Sequence, residues 1–148
     1  MLIAIEVKPS MQRKIFGREH LTVPDAIATL ELATEEGSIL QIDYQDFQDA
    51  ICLCGSSPAC FRVSGTDISE VIQACREELL VVAKKRVAVA IAVICGYGNS
   101  FNLARTTEVI SSLHDAVGKA PKVVYGVRFD PALVNGMSVT WLIDGQDT

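Results

Sequence analysis

Ten consecutive residues, Val87-Ala88-Val89-Ala90-Ile91-Ala92-Val93-Ile94-Cys95-Gly96, carry no charge and no polar side chain beyond one thiol. The run is about half the length of a membrane-spanning helix, which needs about 20 apolar residues. Its alternating Val, Ala and Ile suit a strand buried on both faces, because β-branched side chains pack well on a pleated surface. A strand of this kind needs partners at its edges and packed layers around it, so the rest of the chain is read for what supplies them.

Two segments flanking the run have helical periodicity. From Asp67, the positions Ile68, Val71, Ile72, Cys75, Leu79, Val82 and Ala83 share one helical face. After a polar turn at residues 97–102, Leu103, Val109, Ile110, Leu113 and Val117 mark a second long helix, ended by Ala120-Pro121. Two further apolar segments, residues 123–129 and 139–143, read as strands, and residues 59–64 as a short one. Nearer the start, residues 1–7 read as a strand, and 8–23, with Arg13, Lys14 and Arg18, as an exposed loop or irregular hairpin. Pro24 opens a helix over Ala26, Ile27, Leu30 and Ala33, with Gly37 as its C-cap. Asp43 is placed as the N-cap of a helix running through Phe47, Ala50, Ile51 and Cys54 until Gly55-Ser56-Ser57-Pro58 breaks it. This order predicts an α+β fold, a two-layer sandwich with helices packed on one mixed sheet.

Length and composition narrow the function classes. With 148 residues, 49% of them apolar, and a mean hydropathy of +0.30, one domain spanning 1–148 with a substantial core is expected. The net charge of -5 opposes generic nucleic-acid binding. Lys84-Lys85-Arg86 is placed at a helix C-terminus, where cations complement the dipole. The opening Met1-Leu2-Ile3-Ala4-Ile5 is interrupted by Glu6 and Lys8, too short for a signal core, so a cytoplasmic protein is expected. The cysteines Cys52, Cys54, Cys60, Cys75 and Cys95 are odd in number and without a secretory signal, which points to reduced thiols. No Cys-x-x-Cys pair is present and His20 and His114 are remote, so no metal site is assigned.

The closing series has a particular order: the apolar strand from Val87, a helix, Val123-Val124-Tyr125-Gly126-Val127-Arg128-Phe129-Asp130-Pro131, then Val139-Thr140-Trp141-Leu142-Ile143-Asp144-Gly145. It resembles the C-terminal domain of FtsZ, the bacterial tubulin relative. Leu40-Gln41-Ile42-Asp43-Tyr44-Gln45-Asp46-Phe47 resembles that family's synergy loop, with Asp43 and Asp46 on its two acidic positions. Gln41 replaces the usual Asn, the approach from Gly37 is one residue longer, and the turn at 97–102 is longer than the family's. The resemblance spans residues 37–145, and 1–36 match only loosely. What it implies is half of a cytoskeletal GTPase. The family's Gly-Gly-Gly-Thr-Gly-type phosphate loop has no counterpart in the sequence.

The resemblance implies no cofactor, and a protein partner, either a tubulin- or FtsZ-like protein or a second copy, with no nucleic acid or membrane. In the family, the synergy-loop carboxylates polarise the water that attacks GTP on a neighbouring molecule, so Asp43 and Asp46 are candidates for trans-acting GTPase activation, and Gln41, Asp43, Tyr44 and Asp46 for an interaction loop. Read from the residues alone, Asp43 and Asp46 are a helix cap and a first-turn acid that favour the helix dipole. Gly96-Tyr97-Gly98-Asn99-Ser100, at a strand-to-helix turn, is a weak anion-site candidate through Gly96, Gly98, Asn99 and Ser100; the competing reading is a turn with Asn99 or Ser100 as cap. Asp130-Pro131 reads as a turn, and Arg128, Arg105 and Glu108 as solvated surface groups. Three functions stay open: a non-enzymatic interaction module, a small-ligand enzyme using Asp43, Asp46, His114 and a thiol, and a fragment of a longer FtsZ-like GTPase.

Overall fold

The computed structural model describes residues 16–55, 57–82, 86–117 and 122–146. The strand expected at residues 1–7 and the pair Lys84-Lys85 lie outside these residues.

The apolar run forms the strand β3 (Arg86–Tyr97), using the element numbers β1 (Phe16–His20), β2 (Ala59–Gly65), β4 (Lys122–Val134) and β5 (Met137–Gln146) for the others. All five form one sheet in the order β1-β2-β5-β3-β4. β3 pairs in parallel with β4 and antiparallel with β5, and β5 and β2, like β2 and β1, are antiparallel. Residues 89–94 of β3 are all buried, and their side chains divide by parity. Ala90, Ala92 and Ile94 enter one core, and Val89, Ile91 and Val93 the other. This period of two explains why no polar residue interrupts the run: neither face of the strand meets water.

Helices α3 (Ile68–Val82) and α4 (Leu103–Val117) cover the first face. There Val71, Cys75 and Leu79 of α3 and Val109 and Leu113 of α4 pack on Val139, Trp141 and Ile143 of β5. Phe61 stacks on Trp141 with ring centroids 6.3 Å apart. The fold is therefore an α+β mixed sheet with the two long helices packed on it, as the periodicity predicts. On the second face lie α1 (Val23–Glu31), a 3-10 turn (Leu32–Thr34) and α2 (Tyr44–Cys52), through Ala26, Leu30, Ala33, Phe47 and Ala50. No described helix is long and apolar enough to cross a membrane.

Several boundaries differ from expectation. Residues 16–20, expected within a loop or hairpin, form edge strand β1, which is held by its register with β2 while most of its side chains stay exposed. Thr22 caps α1, its hydroxyl accepting the Asp25 N–H at 3.2 Å, and α1 ends at Glu31, so Gly37 (φ +90°) belongs to the following turn and is not a helix cap. α4 is capped by Asn102, whose side chain accepts the Arg105 N–H at 3.1 Å, and not by Asn99 or Ser100. The shift follows from Phe101, which is buried against Gly96 and fixes where the helix starts. β4 continues past Asp130-Pro131 to Val134, and the reversal falls at Asn135 (φ +56°), whose N–H donates to the Tyr97 carbonyl at 2.8 Å.

Candidate functional site

Residues 38–43 cross the outer edge of β4 on their way from the 3-10 turn to α2. Leu40 makes one antiparallel bridge to Val127: its N–H donates to the Val127 carbonyl at 3.1 Å, and the Val127 N–H returns to the Leu40 carbonyl at 2.9 Å. The Ile42 N–H donates to the Ala33 carbonyl at 2.8 Å, and the Ile42 side chain is buried in the second core. Gln41 Nε2 donates to the Thr34 carbonyl at 2.8 Å, so the residue at the family's Asn position braces the loop from behind. Gly126 makes the close approach possible: a Cβ there would lie 2.6 Å from Ala33 Cβ and 3.0 Å from the Leu40 oxygen.

Arg128 completes the anchoring and is not the solvated surface group expected. Its guanidinium donates to the Leu32 carbonyl and to Ser38 Oγ at 3.1 Å, and it pairs with Glu35 at 3.8 Å. Arg105 and Glu108 do lie at the surface, as an i,i+3 pair at 3.3 Å. Pairs of this exposed type contribute about 0.3–0.5 kcal/mol.

The anchored loop delivers the start of α2. Asp43 is its N-cap, Oδ1 accepting the N–H of Gln45 at 2.9 Å and of Asp46 at 3.2 Å. Asp46 stands in the first turn, exposed, and Tyr44 between them is 56% exposed. Among the described residues no Lys or Arg pairs with Asp43, Asp46 or Glu36. Along the other side of Leu40 runs an apolar groove of about 430 Å³, lined by Ile39, Leu40, Leu103, Thr106, Val127 and Phe129. Leu103 is 75% and Phe129 59% exposed, and Tyr97 packs edge-on to Phe129 at 6.2 Å. These uncovered aliphatic and aromatic side chains lie together in one apolar patch. The groove was not legible in the sequence, since Ile39, Leu103 and Phe129 come from three distant elements.

The other candidates are placed apart from this surface. Gly96 is buried in β3, where a Cβ would lie 2.4 Å from the Phe101 ring, and Gly98 (φ +99°) faces Asn135, so packing and backbone geometry account for both glycines. Asn99 is exposed, and Ser100 lines a shallow polar cleft of about 410 Å³ with Thr66, Asp67, Ser69, Arg105 and Asn135. His114 is in the last turn of α4, which packs on the sheet face opposite the one covered by α2, and so is not brought to Asp43 and Asp46. Burial pushes the Cys75 thiol up to about 12 and those of Cys54 and Cys95 up to about 11, and also raises Cys60. Raised thiols carry little of the nucleophilic thiolate. Among the described residues no group of three or more His, Cys, Asp or Glu is placed to hold a metal ion.

The chain superposes on a point mutant of FtsZ from M. jannaschii with a TM-score of 0.63 over 82% of its length, at 15% sequence identity. The fold is FtsZ-like. The match takes in 37% of the M. jannaschii chain. No family model matches the sequence, and no curated protein matches it.

Proposed function

We propose that the chain is a non-enzymatic protein-interaction module that docks a partner through residues 40–47 and the adjoining groove, and that it modulates a tubulin-like polymer or its GTPase. The observation that supports this reading is the pinned loop: four sets of contacts, from Val127, Ala33, Thr34 and Arg128, hold a segment whose Asp43, Tyr44 and Asp46 are exposed, and among the described residues no Lys or Arg pairs with either carboxylate. Rigid presentation of exposed side chains lowers the ordering cost of binding. The resemblance to the synergy loop adds a chemical role, since a carboxylate at this helix start orients water on a neighbour's nucleotide. Asp46 suits that role better than Asp43, whose Oδ1 is already taken by two backbone donors.

The experiment adds the chain to a GTP-hydrolysing FtsZ-type polymer and reads co-sedimentation and phosphate release. Asp43→Asn with Asp46→Asn keeps a cap and removes both charges. Loss of stimulation with retained co-sedimentation assigns the carboxylates to catalysis in trans, and loss of both assigns them to docking. A double variant that binds and stimulates like the parent leaves them as helix caps and refutes the reading.

A further inference from the structure

The chemistry of the groove and its rim restricts what can fill it. The walls come from three elements: Ile39 and Leu40 of the loop, Val127 and Phe129 of β4, and Leu103 and Thr106 in the first turn of α4. Polar groups in these walls are already engaged. Thr106 Oγ donates to the Leu103 carbonyl at 2.8 Å, and Leu40 takes both the N–H and the carbonyl of Val127. An incoming strand therefore cannot pair with β4 at Val127, whose ladder partner is in place. What enters must satisfy its own backbone and present apolar side chains, as a helix does.

The rim carries charge of one sign. Residues 19–61 contain eight carboxylates and no Lys or Arg, and all eight are exposed. Among the described residues, Glu19 and Glu35 are the members of this set that share an ion pair with an Arg. Glu36 precedes Ile39 by three residues and Asp43 follows Leu40 by three, so each lies within about 11 Å of the groove wall along the chain. Asp46 follows in the first turn of α2. Nearby cations are committed elsewhere. Arg128 is held by the Leu32 carbonyl, Ser38 and Glu35, while Arg105 pairs with Glu108 and lines the separate polar cleft. An apolar trough with an unneutralised acidic rim attracts a segment that is apolar on one face and cationic on the other.

We propose that the groove receives a cationic amphipathic helix of a partner protein. Its aliphatic side chains, at i, i+3, i+4 and i+7, lie against Leu40, Leu103 and Phe129, and its Lys or Arg residues face Glu36, Asp43 and Asp46. The inference rests on the reading of the groove as a docking surface and names the chemistry of what docks. Apolar burial supplies the affinity, and the acidic rim selects the sign of the partner and speeds encounter. The net charge of -5 draws cations to the whole molecule, so a test needs variants in the groove itself.

The probe is a labelled peptide of Leu and Lys, about 18 residues or five helical turns long, with the leucines on one face. Its comparators are the same residues in scrambled order, a Leu/Glu peptide with the same stripe, and an alternating Val/Lys peptide that favours a strand. Fluorescence anisotropy with the full chain reads binding, and circular dichroism reads helix gained by a peptide that is marginally helical alone. The Leu/Lys peptide should bind about tenfold or more tighter than each comparator, gain helix, and weaken as ionic strength rises from about 0.1 M to about 1 M. Leu103→Ser removes an exposed apolar wall, and Glu36→Gln with Asp43→Asn and Asp46→Asn removes rim charge and keeps the cap. Each should lower affinity by about tenfold or more with the parent's circular dichroism spectrum. Asp115→Asn, at an exposed carboxylate in the last turn of α4, should bind like the parent. Equal binding of the scrambled or Leu/Glu peptide overturns the proposal, as does binding that survives Leu103→Ser. Tighter binding of the Val/Lys peptide identifies strand addition and overturns the helix. The peptide assay contains no polymer, so the two readings fail separately. A chain that co-sediments with an FtsZ-type polymer but ignores the Leu/Lys peptide keeps its docking surface and loses this occupant. One that binds the peptide and not the polymer keeps this occupant and loses the polymer.

Discussion

Asp43→Ala and Asp43→Asn should differ, and the difference measures the cap at the start of α2. In the structure Asp43 Oδ1 accepts two N–H groups, from Gln45 at 2.9 Å and Asp46 at 3.2 Å, that otherwise have no intrahelical partner. Alanine removes the one oxygen that accepts both bonds, a loss of about 1 kcal/mol, and with it a carboxylate at the positive end of the helix, about 0.3–1 kcal/mol more. Asparagine keeps a side-chain oxygen in the same place and loses only the charge, so its cost should stay at about 0.3–1 kcal/mol. For a chain of this size each kcal/mol corresponds to about 2–4 °C in Tm, so the alanine variant should melt about 3–8 °C lower and the asparagine variant about 1–4 °C lower. Asp46→Ala, which removes charge and no cap bond, should resemble asparagine at position 43. The assay is urea unfolding followed by the fluorescence of Trp141, the single tryptophan and a fully buried one. All variants should share the parent's m-value, as the surface exposed on unfolding is unchanged. If asparagine costs as much as alanine, the hydrogen bonds to Gln45 and Asp46 are not what holds the helix start, and the argument from geometry fails.

The isolated chain should not bind GTP, since its sequence has no phosphate-cradling loop, and equilibrium dialysis showing micromolar binding would contradict this. Gly96→Ala should destabilise by about 1–3 kcal/mol because its Cβ would enter the Phe101 ring at 2.4 Å, and Phe101→Leu in the same chain should recover part of the loss in a urea titration. The alkaline limb of stability follows from the thiols. With folded values of about 11 for Cys54 and Cys95 and about 12 for Cys75, the folded state holds protons that the unfolded chain releases from about pH 8.5, so stability should be full below that and fall as pH rises toward 11. Urea midpoints measured under reductant from pH 8 to 10.5 should decline, and a flat profile would show that these thiols ionise as easily folded as unfolded.

The parts of the fold that could be read in advance are those whose cause is local. β3 is identified by an unbroken apolar run, α3 and α4 by their period, and the cap of α2 by an Asp directly before an amphipathic segment. What escaped depends on distant partners. Arg128 looks like a surface cation until the fold brings Leu32, Ser38 and Glu35 to it from 90 or more positions away. β1 has no strand signature because most of its side chains face water and its register comes from β2. The start of α4 hinges on the burial of Phe101, which the surrounding polar residues conceal. Of the site, Asp43, Tyr44 and Asp46 could be nominated, whereas the groove beside them exists only once α4, β4 and the loop meet.

The Leu40–Val127 bridge also bears on how the protein avoids sticking to itself in the wrong way. β4 is the last strand of the sheet, and an outermost strand is a template for unwanted pairing because its outward amides and carbonyls invite another chain. By occupying both polar groups of Val127 and pressing against Gly126, the loop interrupts that template near its middle and leaves no long flat rim. The guard is tethered mainly by Arg128 and by hydrogen bonds of Gln41 and Ile42. Variants that loosen the tether to retune the docking face therefore open the rim at the same time, so gains in plasticity at this loop come with a greater tendency to form amyloid-like stacks.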